Sequence, residues 1–328
     1  MSPLTRRTLL TSLGGLGGAA LTGCTTRHPA PPPAGLPASA DTPSPTPLPP
    51  VTVATATGPV TVPGAPMRVV ALDTAELDSA LTLGITPVGA ARPAADRAFP
   101  DYWPASRLDR IAYVGPVGAP DLAAVRALRP DLILSNQSRD GGRYDDLRAI
   151  APTVLTQTTG APWKANVQTH AQALSRQDAA AAFAASYQRH VNQVVTALAN
   201  ARASGRRVSL LRFVEGGGIR MYGRQTFPGS VLAEAGLARP DAQNTDQPDQ
   251  ELPPDQLAKA DGDLLLYAGY GDPARNGLTA TLASPAWQSL EAVKAHRAFP
   301  VDDQLWFQPL GYTGANYLLQ QLQRFLGA

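Results

Sequence analysis

Between Gln177 and Ala203 the chain reads QDAAAAFAASYQRHVNQVVTALANARA, with neither Gly nor Pro inside it. Its larger apolar residues, Phe183, Tyr187, Val191, Val194 and Leu198, recur at spacings of four, four, three and four, the pattern of one helical face. Ser175 followed three residues later by Asp178 resembles a capping box with Asp in place of Glu, and Gly205 stands just past the far end, where helices commonly stop. At about 1.5 Å per residue such a helix spans about 40 Å, roughly one domain diameter. A rod of that length is either the core of one domain or the connector between two bodies, and the flanking sequence decides between them.

Both flanks alternate short apolar runs with helical runs. Before the rod, strands are expected at Arg68–Leu72, Ile85–Ala90, Ile111–Val114 and Leu132–Leu134, with helices near Ala75–Leu83, Leu122–Leu128 and Tyr144–Ile150. After it the pattern restarts: strands at Arg207–Val214, Arg220–Tyr222 and Leu264–Tyr267, helices near Pro228–Ala235 and Ala315–Leu326. Alternation of this kind predicts mostly parallel sheets covered on both faces. The expected architecture is two Rossmann-like α/β lobes, residues 51–175 and 205–328, joined by one backbone helix over residues 176–204. Ligands of such sheets sit beyond the carboxyl ends of the strands, so two facing lobes define a cleft.

The first 50 residues belong to neither lobe. MSPLTRRTLL places Arg6 and Arg7 ahead of a Gly-rich, modestly apolar run ending near Leu21, an export signal that resembles the twin-arginine type and is too short to span a bilayer. It ends in Leu21-Thr22-Gly23-Cys24, which resembles a bacterial lipobox, and Cys24 is the only cysteine in the chain. Disulfides and thiolate metal clusters are thereby excluded, and lipidation is the expected use of the thiol. Residues 25–50 contain ten prolines and two large aliphatic residues, Leu36 and Leu48, so they read as an extended tether without a core. Loss of Arg6 and Arg7 with the signal leaves 26 basic against 26 acidic residues, and no nucleic-acid partner is expected.

Catalytic signatures are absent from the sequence. There is no G-x-S-x-G elbow, no G-x-x-x-x-G-K-[ST] loop and no H-E-x-x-H pair, and Gly216-Gly217-Gly218 reads as a hairpin turn. His28, His170, His190 and His296 are scattered, so no protein metal site is expected, and the neighbouring acids Asp145-Asp146 and Asp302-Asp303 read as solvated or capping. An exported chain with a cleft and no catalytic constellation binds rather than transforms.

Several stretches carry a family resemblance: RVVALDTAELDSALTLGITPVGA, LRPDLIL, SRDGGRYDDLRAIAPTV, VSLLRF, IRMYG, FPGSVLAEAGLARP, ELPPDQL and PAWQSLEAVKAHRAFPVDDQLW. In that order, from about Val51 to the C-terminus, they resemble the lipoprotein substrate-binding component of iron-siderophore ABC importers, the helical-backbone class of ferrichrome, ferric-citrate and cobalamin receptors. The resemblance implies a monomeric, non-enzymatic receptor anchored by lipid at the outer face of the cytoplasmic membrane. It would carry a ferric siderophore as cargo, without a cofactor of its own, to an ABC permease.

An already saturated iron chelate asks for guanidinium groups and aromatic faces, not for metal ligands. Arg139 matches the arginine with which relatives face the cleft, and Arg212 sits in or just after a buried strand, where a ligand or a nearby carboxylate must satisfy it. Trp306 matches a tryptophan that packs on the chelate in ferrichrome receptors. Tyr222 and Arg224, before the helix near Pro228, and Arg92, Tyr102 and Trp103, on the rim of the first lobe, complete the expected ligand set. Two departures from the family pattern stand out. The loop Val114–Pro120 lacks an arginine that relatives often place there, and Ala123 occupies the position of a docking glutamate, with Asp121 as its substitute and Asp255 as the counterpart on the second lobe. Rival readings are a cobalamin or haem receptor of the same fold, with Tyr102, Tyr270 or Tyr312 as axial ligand, and an exported α/β hydrolase using Ser138 or Ser230.

Overall fold

A computed structural model describes residues 48–308 and 310–328. The expected export signal, Cys24 and the expected tether as far as Pro47 lie outside the described residues. An antiparallel hairpin, β1 (Val51–Thr55) and β2 (Gly58–Val62), opens the described chain.

The first lobe is a five-stranded parallel sheet in the order β5-β4-β3-β6-β7, formed by β3 (Val69–Ala71), β4 (Gly89–Arg92), β5 (Ala112–Pro116), β6 (Leu132–Asn136) and β7 (Thr153–Thr156). Strands β3 and β6 are buried at every position, as the continuous apolar runs of a doubly covered parallel sheet require. The chain leaves β3 to one side and β6 to the other. Their carboxyl ends are therefore the switch point where such sheets bind ligands.

The second lobe is a mixed sheet in the order β10-β9-β8-β11-β12: β8 (Val208–Val214), β9 (Gly218–Tyr222), β10 (Asp249–Leu252), β11 (Leu264–Tyr270) and β12 (Ala298–Pro300). Strands β8, β11 and β12 run parallel, β9 runs antiparallel to β8, and β10 pairs antiparallel with β9 at the edge. The triple glycine makes the β8–β9 hairpin, with Gly216 and Gly218 at φ of 68° and 70°, a left-handed turn that a side chain would strain.

The helix Gln177–Asn200 joins the lobes. Tyr187, Val191, Val194 and Leu198 are buried along one face, whereas Phe183 is an exposed large apolar residue, and the stripe continues through Ala180 instead. Neither predicted end signal is used. Arg176 is the N-cap without a side-chain bond, and Ser175 donates its hydroxyl to the carbonyl of Gly64. At the other end Arg202 takes the left-handed conformation at φ 55°, with Arg202 N–H on Ala199 O and Ala203 N–H on Leu198 O, a Schellman closure that stops the helix before Gly205.

The described residues from Leu48 onward form one compact unit, and the lobes are fastened to each other beside the helix. Buried Asp78, on the helix Thr74–Thr82, accepts from Gly311 N–H of the second lobe at 2.8 Å, from the Tyr102 hydroxyl at 3.1 Å and from Trp103 Nε1 at 3.3 Å. The hydroxyls of Thr82 and Thr313 meet at 2.7 Å, and Tyr102 packs on Tyr317 of the terminal helix Tyr312–Leu326.

Candidate functional site

A cavity of about 710 Å³ opens between the lobes, bounded by Asp73 and Arg139 from the first and by Arg212, Arg220, Tyr222 and Tyr270 from the second. Phe227 and Phe307 add apolar wall. Both first-lobe side chains follow from the sheet topology. Asp73 caps the helix that leaves β3, and Arg139 lies on the short helix Gln137–Asp140 that leaves β6, so the switch point brings them together. Asp73 Oδ2 accepts from Arg139 Nε at 3.1 Å, and no described residue accepts from the two terminal nitrogens of Arg139, which is half exposed toward the cavity.

On the opposite wall, Arg212 and Arg220 are direct partners across the β8–β9 ladder. Like charges placed opposite each other destabilise a strand pair, so each is held by its own carboxylate. Arg212 Nε and Nη2 make a fork on Asp303 at 2.6 and 2.5 Å, Nη1 donates to the Tyr222 hydroxyl at 3.2 Å, and the guanidinium lies 4.4 Å from the Tyr270 ring centroid. Burial alone would weaken the hold of Arg212 on its proton, but the bonds to Asp303 and the Tyr222 hydroxyl and the charge of Asp303 outweigh it, and the group is raised above its ordinary value. Arg220 Nη1 donates to Asp249 at 3.2 Å. Three guanidinium groups from two lobes thus face one cavity, each anchored by a carboxylate with N–H edges left over, which suits planar oxyanions.

Of the eight residues expected to contact ligand, Arg139, Arg212 and Tyr222 line the cavity. Trp306 does not. It ends the four-residue helix Asp303–Trp306, is fully buried, and donates Nε1 to Gln321 of the terminal helix at 2.6 Å; the next residue, Phe307, reaches the wall instead. Tyr102 and Trp103 are turned away from the cavity by Asp78 and belong to the inter-lobe seam. Arg92 stacks over Tyr113 at 4.0 Å and donates Nε to the Asp96 carbonyl, and Arg224 pairs with Asp246 at 2.9 Å on the surface; neither lines the cavity. Asp302 caps its helix through Leu305 N–H, while Asp303, expected to be solvated or capping, is mostly buried against Arg212.

The expected docking acids are both exposed. Asp121 caps the helix Leu122–Ala127 by accepting from Ala123 and Ala124 N–H, and Asp255 lies on the 3-10 segment Pro254–Ala260. Among the tyrosines considered for haem, Tyr270 lines the cavity, its hydroxyl accepting from Ala95 N–H at 3.2 Å, whereas Tyr312 is buried against Trp163. The hydroxyl of Ser138 donates to Asn136 and that of Ser230 to the Phe227 carbonyl, so both protons are committed away from any imidazole. Arg220 escaped the sequence reading. It sits two residues before Tyr222 on β9, and period-two alternation puts both on one face.

A model described as periplasmic binding protein matches residues 69–305. The chain is 31% identical over 275 residues to the Bacillus subtilis protein called probable siderophore-binding lipoprotein YfiY, covering 80% of this chain and 83% of that one. It is 28% identical over 260 residues to the Fe(3+) dicitrate-binding periplasmic protein FecB of Escherichia coli, covering 79% and 84% respectively. Among solved structures, Staphylococcus aureus SirA complexed with staphyloferrin B superimposes with a TM-score of 0.75 at 25% identity, covering 84% of this chain and 98% of that one.

Proposed function

The chain belongs to the periplasmic binding protein family, and from that premise we propose that it is the substrate-binding component of an ABC importer, capturing a ferric siderophore between its lobes and delivering it to a membrane permease without chemistry. The observation that carries the reading is the cross-strand pair Arg212 and Arg220 facing Arg139 over one cavity. Their forked donors favour a chelate that presents carboxylate oxygens, as ferric citrate does, over one that presents only aromatic rings. The names of the relatives, which refer to siderophore and ferric dicitrate binding, support the same class.

Residues 51–175 and 205–328 serve as the two lobes and residues 176–204 as their connector. The protein acts as a monomer held at the outer face of the cytoplasmic membrane by lipid on Cys24, with residues 25–50 as its leash; the lipoprotein and periplasmic names of the relatives favour export. Among the described residues no helix is long and apolar enough to cross a membrane. Asp121 and Asp255, exposed one on each lobe, are the docking contacts for the permease.

Because no tryptophan lines the cavity, calorimetric titration is a better test than indole quenching. A panel of ferric citrate, a ferric hydroxamate and a ferric catecholate is expected to give heat with ferric citrate and with chelates of its type. Silence across the whole panel overturns the function, and tight binding confined to the hydroxamate or the catecholate overturns the assigned ligand class.

A further inference from the structure

Behind Arg139 lies a polar cluster that makes no contact with the cavity. Glu76, on the helix Thr74–Thr82, and His170, on the helix Trp163–Ala173, are both fully buried, with Glu76 Oε1 3.8 Å from His170 Nε2. Glu76 Oε2 and both ring nitrogens of His170 have no hydrogen-bond partner among the described residues. The other carboxyl oxygen is wired to the site. Asn136 Nδ2 reaches Glu76 Oε1 at 3.4 Å and Asp73 Oδ2 at 3.3 Å, and that same Asp73 oxygen accepts from Arg139 Nε at 3.1 Å.

The charges around Glu76 are almost all negative. Asp73 faces it from the start of its own helix, and Asp140, buried and held by Ser135 and Arg143, faces it from the segment after β6. His170 is the one ionisable neighbour from the helix packed behind, and no arginine or lysine pairs with Glu76 among the described residues. An ionised Glu76 would be a third buried carboxylate beside Asp73 and Asp140, whose cations are Arg139 and Arg143, with no cation of its own. Burial, and then the charge of Asp73, accordingly push Glu76 up to about 8, and burial pushes His170 down to about 3.

We propose that Glu76 is a proton-carrying positioning residue for the Asp73–Arg139 arm of the cleft. With its proton in place it leaves Asn136 and Asp73 to hold Arg139 toward the ligand. Once the proton is lost, a second carboxylate competes for Asn136 and draws the positive field of the arm away from an anionic chelate. The inference rests on the cleft being the ligand site, and its consequence is a receptor that binds better in mildly acidic than in alkaline surroundings.

The test compares the full chain with Glu76→Gln, titrating both with ferric citrate by calorimetry from about pH 6 to about pH 9.5, a window that brackets the raised carboxyl. The pH-dependent speciation of the chelate cancels in the ratio of the two affinities. That ratio is expected to be constant near pH 6 and to fall about fivefold in the wild type's disfavour at the alkaline end, the order expected of one added buried charge. A ratio that is flat with pH, whatever its absolute value, overturns the proposal and marks Glu76 as structural only. A second measurement needs neither variant nor ligand: the carboxyl ¹³C resonance of Glu76 in the wild-type chain should titrate above neutrality, and a midpoint below about pH 6 overturns the proposal even if no chelate binds. Wild-type protein that binds no chelate at any pH, with the resonance still titrating high, counts against the receptor reading alone.

Discussion

Removing the Asp303 carboxylate tests how the second lobe tolerates two adjacent guanidinium groups. Arg212 and Asp303 have side chains only 14% and 13% exposed, and their fork is short on both arms. In Asp303→Ala the guanidinium keeps the Tyr222 hydroxyl and the Tyr270 face but loses its counter-charge while Arg220 stays opposite it. Coulomb's law at an effective dielectric of about 20 gives roughly 4 kcal/mol for charges about 4 Å apart, and breaking buried pairs from one side costs about 3 to 5 kcal/mol. Asp303→Ala should therefore lower the unfolding free energy by about 3 kcal/mol or more. Arg212→Met combined with Asp303→Leu should cost far less, because neither charge then needs to be desolvated. Urea unfolding of the wild type, Arg212→Met, Asp303→Leu and the double variant closes a cycle whose coupling energy should reach about 2 kcal/mol. A loss below about 1 kcal/mol for Asp303→Ala, or a double variant that merely sums the singles, would refute the claim that Asp303 is what allows Arg212 into the wall.

Three further outcomes follow from the geometry. Arg220→Gln and Arg139→Gln should each weaken binding of ferric citrate by about ten- to a hundredfold, the value of one charge-assisted hydrogen bond, with melting little changed for Arg220→Gln, whose partner Asp249 is hydrated; calorimetry with unchanged affinity refutes their placement. Trp306→Phe should do the reverse, destabilising the fold by about 1 to 3 kcal/mol through the lost Gln321 bond and packing while leaving affinity intact, and a selective loss of affinity would return Trp306 to the cleft. Burial, opposed by the bonds from Gly311, Tyr102 and Trp103, lifts Asp78 from 3.8 to about 6, so its proton is held more tightly in the folded chain than in the unfolded one. That contribution to stability is complete below about pH 3.8 and is lost as pH rises through about 6, so the stability difference between wild type and Asp78→Asn should change by about 2 to 3 kcal/mol across this window, and a constant difference refutes it.

The connecting helix and the parallel strands β3 to β6, β8 and β11 were readable because each carries a local apolar stripe or run, whereas the parallel strands β7 and β12 were not read. Elements without one were not. Strand β10 reads DQEL, an edge strand whose place is set by pairing with β9, and the helix Trp163–Ala173 buries His170 and Asn166, which blur its apolar stripe. Phe183 satisfied the helical spacing yet stays exposed, while Ala180 is buried against the first lobe's core, a tertiary choice that spacing cannot express.

The places of Arg139 and Arg212 on the cavity wall were legible because they follow or sit in buried strands. Trp306, Tyr102 and Trp103 stand off the cavity wall because their orientation is decided by partners far along the chain: Gln321 for the first, and Asp78, itself tied to Gly311, for the other two. Arg220 could have been found from Tyr222 by strand alternation alone.

The neighbouring positions of Arg212 and Arg220 make the cleft its own thermometer. Asp303 and Asp249 answer their charges one each, and an oxyanion lodged between the two guanidinium groups would add a counter-charge shared by both. Any compound that does so raises the melting temperature, by the equivalent of about 2.7 kcal/mol at a hundredfold excess over its dissociation constant. A library of uncoloured, non-fluorescent, even iron-free carboxylates becomes searchable by heating alone.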